Sequence, residues 1–391
     1  MATNGEPIGV AVLGCGSISH PHFDGWQRLV REGEARLEVA CDNDLERAEA
    51  RVQQYGAAAA ATDFAEVVKR PEVQAVDICL PHHLHLPAIL AAAAAGVHIL
   101  CEKPLVLDMD EAVAAISACR DAGVKLMTAD RDRFEPPARA VKRILNAGLI
   151  GDIYHVLERH MLHKDVITQG SRSNMGWKLG KATAGGGALH RDGCYYIDTL
   201  LFWEGSGVKH IAGAEFDNFL WDTAEIETSS HVLFRFNSGA IGVFEMVWCL
   251  QGPQHREIFV TGSEGYVKLN GGIGHGSDAT ITLYSNKLPW STFEDPQVAQ
   301  AFADCTFEQP SRNNLEMANE KLVLHVPYAA GFYAQEKELL TAIRDDREPE
   351  SNGIDGARSL EVVEGAYLAA QERRLIEFPL RDWDALQGDR A

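Results

Sequence analysis

Cys101-Glu102-Lys103-Pro104 closes the apolar run Val97-His98-Ile99-Leu100. That puts a lysine and a carboxylate where a buried strand would leave its sheet. In doubly wound α/β folds, ligands collect at this carboxyl edge. A lysine there can hold a positive charge, or move a proton, beside a bound cofactor. The start of the chain indicates which cofactor. Gly14-Cys15-Gly16-Ser17-Ile18-Ser19 follows the first apolar run and opens a helical pattern. Gly14 permits the tight turn, and Gly16 lets a pyrophosphate approach the backbone. Ser19 fills the third position, usually Gly or Ala. Ser17 and Ile18 lead into the helix N-terminus that would face the phosphates. Asp42 ends the second strand, where a carboxylate accepts hydrogen bonds from ribose hydroxyls. Its neighbours Asn43 and Asp44 bring no positive charge for a 2′-phosphate, so NAD is preferred to NADP. The alternative for Asp42 is a helix cap.

These residues need a frame. Continuous apolar runs at 8–13, 37–41, 75–80, 97–101 and 124–128 alternate with helical patterns up to about residue 131. Strands buried on both faces and alternating with helices predict right-handed crossovers and a parallel sheet. After Pro136-Pro137 the pattern changes. Strand-like segments at 153–160, 208–216, 228–236, 240–249, 257–261, 266–269 and 279–283 predominate, with turn signals at Ser238-Gly239 and Ser263-Glu264-Gly265. A helix is predicted at 188–203, and two more close the chain at about 331–344 and 357–372. Residues 285–325 read as a loop-rich excursion. The predicted fold is α/β: an N-terminal Rossmann domain (1–131) with a doubly wound parallel sheet, then a C-terminal α+β domain (132–391) with an open, mostly antiparallel sheet.

The 391 residues are 46% apolar, ordinary for a globular core, and carry a formal net charge of −20. Such a surface repels nucleic acid and anionic lipid, so neither is an expected partner. None of the eight cysteines forms a Cys-x-x-Cys pair, and no disulfide framework or zinc site is expected. No apolar stretch is long enough to span a bilayer, and Met1 to Pro7 lacks a secretory pattern. The expected compartment is the cytoplasm.

Taken together the motifs resemble the glucose–fructose oxidoreductase / inositol dehydrogenase / rhizopine-catabolism (Gfo/Idh/MocA) family. The resemblance rests on Gly14-Cys-Gly-Ser-Ile, His22, Asp42, Ile78-Cys-Leu-Pro-His-His-Leu-His85, Cys101-Glu-Lys-Pro-Leu105, Arg133-Phe134, Gly185-Gly-Gly-Ala-Leu189, Tyr196-Ile-Asp198 and Thr261-Gly-Ser-Glu-Gly265. They run along about two thirds of the chain. The resemblance implies a sugar or cyclitol substrate, a nicotinamide cofactor, and association through the open sheet into homodimers or homotetramers. It makes Lys103 the catalytic lysine and Glu102 its neighbour near the cofactor. Leu80, Pro81 and His85 would lie along the nicotinamide side. No metal is required, although His82-x-x-His85 has ligand-like spacing.

The chain departs from the family at the helix after the triple glycine. Many members carry Asp-x-x-x-His there, one helical turn apart on one face. Here the equivalent positions are Arg191 and Tyr195. Tyr195 resembles the glucose–fructose oxidoreductase branch and is expected to act as acid/base with Lys103. Three readings of Arg191 stand open. It could help Lys103 lower the phenol's pKa, fork an anionic substrate group, or pair with Asp192 or Asp198. If the helix turns slightly, Asp192 reaches the pocket instead. His163 and Trp177, in the polar segment before this helix, are candidates for substrate contacts. Arg131 stands where relatives often have Asn and is expected to alter the pocket. Trp203, Trp221 and Trp248 read as packing. Two other functions compete with the dehydrogenase: a glycosidase that oxidises C3 transiently, eliminates the aglycone and re-reduces, and a non-catalytic dinucleotide-binding regulator.

Overall fold

A computed structural model describes residues 5–165, 175–221, 224–271, 279–287, 306–308, 321–326 and 331–387. Residues 166–174 of the polar segment, and most of 285–325, lie outside the described residues.

Six strands form the first sheet: β1 (Ile8–Leu13), β2 (Ala35–Cys41), β3 (Ala59–Ala61), β4 (Ala75–Ile78), β5 (His98–Cys101) and β6 (Leu126–Thr128). Their order is β3-β2-β1-β4-β5-β6, parallel throughout. Every residue of β1 is buried, because helices cover both sheet faces. The crossover helices start and stop on local signals. Asp44 accepts from the backbone N–H groups of Glu46 and Arg47 ahead of the helix Leu45–Tyr55, and Gly56, at φ +77°, ends it. Asp108 and Gly123 bound Met109–Ala122 in the same way.

The second sheet has ten strands: β7 (Ile153–His163), β8 (Val208–Asp217), β9 (Ser229–Phe236), β10 (Ile241–Leu250), β11 (His255–Gly262), β12 (Gly265–Gly271), β13 (Ala279–Ser285), β14 (Thr306–Glu308), β15 (Lys321–Val326) and β16 (Ile376–Glu377). They run in the order β14-β15-β13-β12-β11-β7-β10-β9-β8-β16. Among the described strands of this sheet, only β7 and β10 pair in parallel. The stretch expected to be loop-rich therefore contributes two strands; β15 pairs antiparallel with β13. Each is short, and a few residues carry little periodicity. One sheet face packs on the helices Pro136–Asn146, Cys194–Glu204 and Gly353–Glu372, forming a second core around Phe234, Phe244, Tyr196 and Trp203.

The chain then returns to the first sheet. Leu339 and Leu340 of the helix Gly331–Arg344 join the core of Ile8, Trp26 and Leu29. Arg344 Nη1 donates to Glu34 Oε2 at 2.7 Å. The helix Gly353–Glu372 lays Gly356 on Thr128 at the end of β6, so close that a Cβ would collide with that side chain. Among the described residues, no helix is long and apolar enough to cross a membrane.

Asn352 sets the start of this last long helix through a capping box with Asp355. Asn352→Ala is expected to lower stability by about 1 kcal/mol, read as a lower urea midpoint with an unchanged slope.

Candidate active site

Gly14 turns the chain out of β1 at φ +99°, and a Cβ there would run into the Cys79 carbonyl. Nothing lies within 4 Å of a Cβ built on Gly16, which leaves the room a pyrophosphate needs. No side chain caps the helix Ser19–Arg31, and its N-cap is Ile18. In its first turn Ser19 N donates to Gly16 O at 3.3 Å and Pro21 has no N–H, which leaves the His20 N–H for an anion. Asp42 Oδ2 accepts from Cys15 N at 2.8 Å, which fixes the glycine turn against the end of β2. Arg47 Nη2 lies 3.2 Å from Asp42 Oδ1, and its Nε donates to Asp44 at 3.1 Å. A cation thus stands one helical turn beyond Asn43 and Asp44, but two carboxylates already engage it. Space, an uncapped N–H group and an acid at the ribose position together fit NAD.

The edges of β4 and β5 lie next to this turn. The buried His85 ring has Nε2 2.9 Å from Leu80 O and Nδ1 2.9 Å from Pro104 O. It braces Leu80 and Pro81 against the Lys103-Pro104 corner. Trp177 sets its edge on His82 at 4.8 Å, and His82 Nδ1 lies 2.9 Å from Ala184 O. Burial lowers the pKa of His82, His85 and His190, to about 4 for His190, so this wall is uncharged at neutral pH.

Beneath the edge sits a charged network. His22 Nδ1 lies 2.8 Å from Asp77 Oδ2, and Nε2 lies 2.9 Å from Glu102 Oε1. Burial works against the imidazolium, but Asp77 outweighs it and holds the pKa well above the usual value. Burial also pushes the Glu102 carboxyl up, yet the hydrogen bond and charge of His22 hold it below its ordinary value. Glu336, from the helix Gly331–Arg344, approaches His22 Nδ1 at 3.8 Å, and neither of its oxygens has a hydrogen-bond partner. Burial raises its pKa well above the ordinary carboxylate value, against the lowering effect of His22.

Lys103 reaches across to the second layer. Its Nζ donates to Asp192 Oδ1 at 3.1 Å and to Arg191 O at 2.9 Å, and lies 4.5 Å over the Tyr195 ring. The register responsible is not a plain α-helix. Residues Ala188–Gly193 form a π-helical turn before Cys194–Glu204. An i→i+5 turn holds an extra residue, so the Asp192 side chain faces Lys103 while Arg191 offers only its carbonyl. The helix expected at 188–203 was correct in extent but not in phase. The Arg191 side chain instead stacks on Trp248, with the guanidinium carbon 4.1 Å from the ring centroid. Arg191 Nη2 lies 3.8 Å from Asp192 Oδ2. Burial alone works against the Lys103 ammonium, but Asp192 raises its pKa overall. Burial would raise Asp192 too, but Lys103 and Arg191 lower it.

The Tyr195 phenol goes against one of the three readings of Arg191, the one in which cations lower its pKa. Burial, then Tyr196 and Asp132, raise it well above the usual value, against the smaller effect of Arg131. The phenol is neutral. Arg131 stacks on Phe332 at 4.8 Å and lies 3.5 Å from Asp132 Oδ1. The structure does not bring His163 into this group. At the end of β7, its Nδ1 accepts from Asp165 N at 3.2 Å.

Sequence reasoning missed a buried polar cluster packed against Tyr196. Glu158 and His160 point inward from β7 and bond to each other at 2.6 Å, and His160 stacks on Tyr196 at 3.5 Å. Asp132 and Arg256 approach to 3.6 Å, and neither Asp132 oxygen has a hydrogen-bond partner. Two ionisable residues on the buried phase of one strand were the available signal. Trp248 packs in the core as expected, and its ring also carries the Arg191 guanidinium.

A parallel sheet with a glycine turn, a ribose-position acid and an edge lysine defines a dinucleotide-dependent oxidoreductase. The family model described as "Oxidoreductase family, NAD-binding Rossmann fold" matches residues 8–130, and the GFO/IDH/MocA C-terminal domain matches residues 138–268. The chain belongs to the Gfo/Idh/MocA oxidoreductase family, whose members here are named sugar and cyclitol dehydrogenases, and it is an NAD-binding enzyme of that sugar/polyol class. It is 26% identical to D-apiose dehydrogenase of Paraburkholderia graminis, over 94% of this chain and 88% of that protein. It is 24% identical to D-glucoside 3-dehydrogenase of Escherichia coli, over 61% of this chain and 70% of that protein. In fold it is similar to the WlbA dehydrogenase of Bordetella pertussis in complex with NADH and UDP-GlcNAcA, at TM-score 0.78 and 22% identity, covering 97% of this chain and all of that one.

Because burial raises the folded-state pKa of Glu336 above its unfolded value of about 4.3, its contribution to stability falls as pH rises past that value. Glu336→Gln keeps the shape without that cost. Its thermal midpoint is expected to exceed the wild type's, by a margin that grows as pH rises above the unfolded carboxyl value.

Proposed function

We propose that this chain oxidises a ring hydroxyl of a sugar, sugar derivative or cyclitol, or reduces the corresponding ketone, with Lys103 and Tyr195 handling the proton. One observation carries this reading. Lys103 Nζ stands at the β5 edge, sheltered between Asp192 Oδ1 and the Tyr195 ring, at 3.1 and 4.5 Å. Bound NAD supplies the hydride acceptor, and its reduced form the donor. Gly14, Gly16, Ser17, Ile18 and Asp42 would hold it, with Leu80, Pro81 and Glu102 along the reacting end and His85 bracing them.

The residues divide the remaining work. Lys103, kept as an ammonium by Asp192, hydrogen-bonds the reacting oxygen and donates its proton as a carbonyl becomes an alcohol. In oxidation the amine form takes the hydroxyl proton. Tyr195, a neutral phenol, donates a second hydrogen bond to the same oxygen. Asp192 orients the lysine. Asp132, Glu158 and Arg256 offer polar atoms to the other ring hydroxyls.

The test is a panel of free sugars, sugar acids, cyclitols and glycosides with NAD and NADP. NADH and released aglycone are both read; net NADH formation without aglycone release is the expected result. Lys103→Met is expected to lower kcat by about 10³-fold while NADH affinity, read by fluorescence, stays within a few-fold. Tyr195→Phe is expected to lose about 10- to 100-fold in kcat; full turnover in a folded variant would remove Tyr195 from the mechanism. With the Lys103 pKa raised above its usual value, the oxidation rate should climb steadily with pH into the alkaline range. Reduction should hold level at neutral pH and fall only where the ammonium titrates.

A further inference from the structure

Around Lys103, the cations Arg191 and Lys178 sit among the carboxylates Asp192 and Glu102. Arg191 is 8% exposed, yet its Nη1 is buried with no hydrogen-bond partner, and Trp248 Nε1 beside it is in the same condition. The carboxylate Arg191 approaches, Asp192, is already taken by Lys103 at 3.1 Å. A second carboxylate, Glu227, acts on Arg191 from further away, but its oxygens accept from Gly187 N, Leu189 N and the Tyr367 hydroxyl, each at 2.9 Å. Lys178 adds a third cation, within the field of Arg191 and Lys103. In a chain of net charge −20, this gathering of cations beside the reacting lysine calls for a reason.

A buried polar atom left unpaired costs free energy, about 1–3 kcal/mol for a neutral group and more for a charged one. Arg191 shares Asp192 with Lys103, which takes Oδ1 at 3.1 Å while Arg191 Nη2 lies 3.8 Å from Oδ2. The guanidinium carbon lies 4.1 Å from the Trp248 ring centroid, and Arg191 Nη1 and Trp248 Nε1 remain as two buried donors without a partner. A guanidinium N–H left unpaired beside a second unpaired donor suits an anionic acceptor such as a carboxylate.

We propose that the substrate of this site is a carboxylate-bearing sugar, an aldonate or uronate, whose carboxylate is bound by Arg191 next to the carbinol that Lys103 serves. This rests on the reading of Lys103 as the hydride-transfer side of the site. The carboxylate is preferred to a phosphate ester because a monoanion costs less to shelter from water than a dianion. Trp248 Nε1 supplies a further donor on the same wall.

The experiment compares matched pairs differing only at the acid: D-glucuronate with D-glucose, D-galacturonate with D-galactose, and D-gluconate with D-glucitol. D-Glucose 6-phosphate is included as the phosphate arm. For the pair turned over best, the acid is expected to lead in kcat/KM by about 100-fold, the scale of a charge-assisted hydrogen bond. Arg191→Gln is expected to bring that ratio to within a few-fold of one, Arg191→Lys to keep part of it, and Lys178→Gln to lower it less. Equal turnover of neutral and acidic members, a lead for the phosphate, or equal loss on both members in Arg191→Gln would overturn the proposal. If Arg191→Gln does not fold, the Arg191→Lys and Lys178→Gln ratios decide. Absence of nicotinamide turnover on every sugar would instead overturn the hydride-transfer reading. In that case glucuronate, galacturonate and gluconate binding to the NADH complex, read by fluorescence quenching, decides the inference: binding lost in Arg191→Gln sustains it, and no such binding ends it.

Discussion

The site depends on the ion pair between Lys103 and Asp192, because it joins one residue from each sheet. Lys103 ends β5; Asp192 belongs to the turn that leads into the helix over the second sheet. Each side chain is only about one fifth exposed. Sheltering an ion from water costs several kcal/mol after relaxation, and the pair alone does not offset that. The Arg191 carbonyl at 2.9 Å and the face of Tyr195 at 4.5 Å supply the remaining contacts. The π-helical turn is what makes both available, since it aims the Asp192 carboxylate and the Arg191 carbonyl at one ammonium. The buried fork between Arg133 Nη2 and Asp198 Oδ1, at 2.6 Å, fixes the same helix to the strand exit at β6.

The other side of that corner is held from beneath. His22 lies between Asp77 of β4 and Glu102 at the end of β5, tying two strand edges to the helix that begins at the glycine turn. Trp26 Nε1 donates to the same Asp77 oxygen at 2.7 Å. Phe332, from a helix more than 300 residues downstream, meets the His22 ring on one side and the Arg131 guanidinium on the other. The cofactor edge therefore takes its rigidity from both ends of the chain. Glu336 shows how tightly the two are packed, since a Cβ on Gly25 would strike its carboxylate.

Local chemistry made much of this legible beforehand. The glycine turn, Asp42, the strand ending at Lys103 and the parallel sheet all follow from contiguous residues whose physics is short-range. Asp192 in the pocket was visible as an alternative register, but no local property of Gly187 to Cys194 favours a π turn over an α turn. That choice is made by contacts with Lys103 and Glu227, far away in sequence. Arg47 was passed over for the opposite reason. The reading stopped at Asn43 and Asp44, while one helical turn carried the guanidinium back to Asp42. Glu158, His160 and Arg256 escaped because a polar residue in a strand looks solvated until the phase of that strand is known. The cross-strand pairing of Arg256 with His160 reveals that phase, and only the sheet register supplies it.

The protonation states at the pocket constrain the chemistry more than the residue types do. A tyrosine near a lysine invites the idea of a tyrosinate base, yet Lys103 gives its donors to Asp192 and Arg191 O and presents its charge to the ring face. Burial, Tyr196 and Asp132 then keep the phenol protonated. The resting site therefore holds an ammonium and a neutral phenol that is hydrogen-bonded to Tyr196, and its neutral histidine wall brings no further charge. Two donors converging on one oxygen complement a carbonyl or an alkoxide better than a neutral hydroxyl, because each bond strengthens as negative charge develops there. Under the proposed function, such a pocket stabilises the charge that hydride transfer creates or removes. Asp192 then matters less as a base than as the counter-ion that keeps the lysine charged until the reacting oxygen takes its proton.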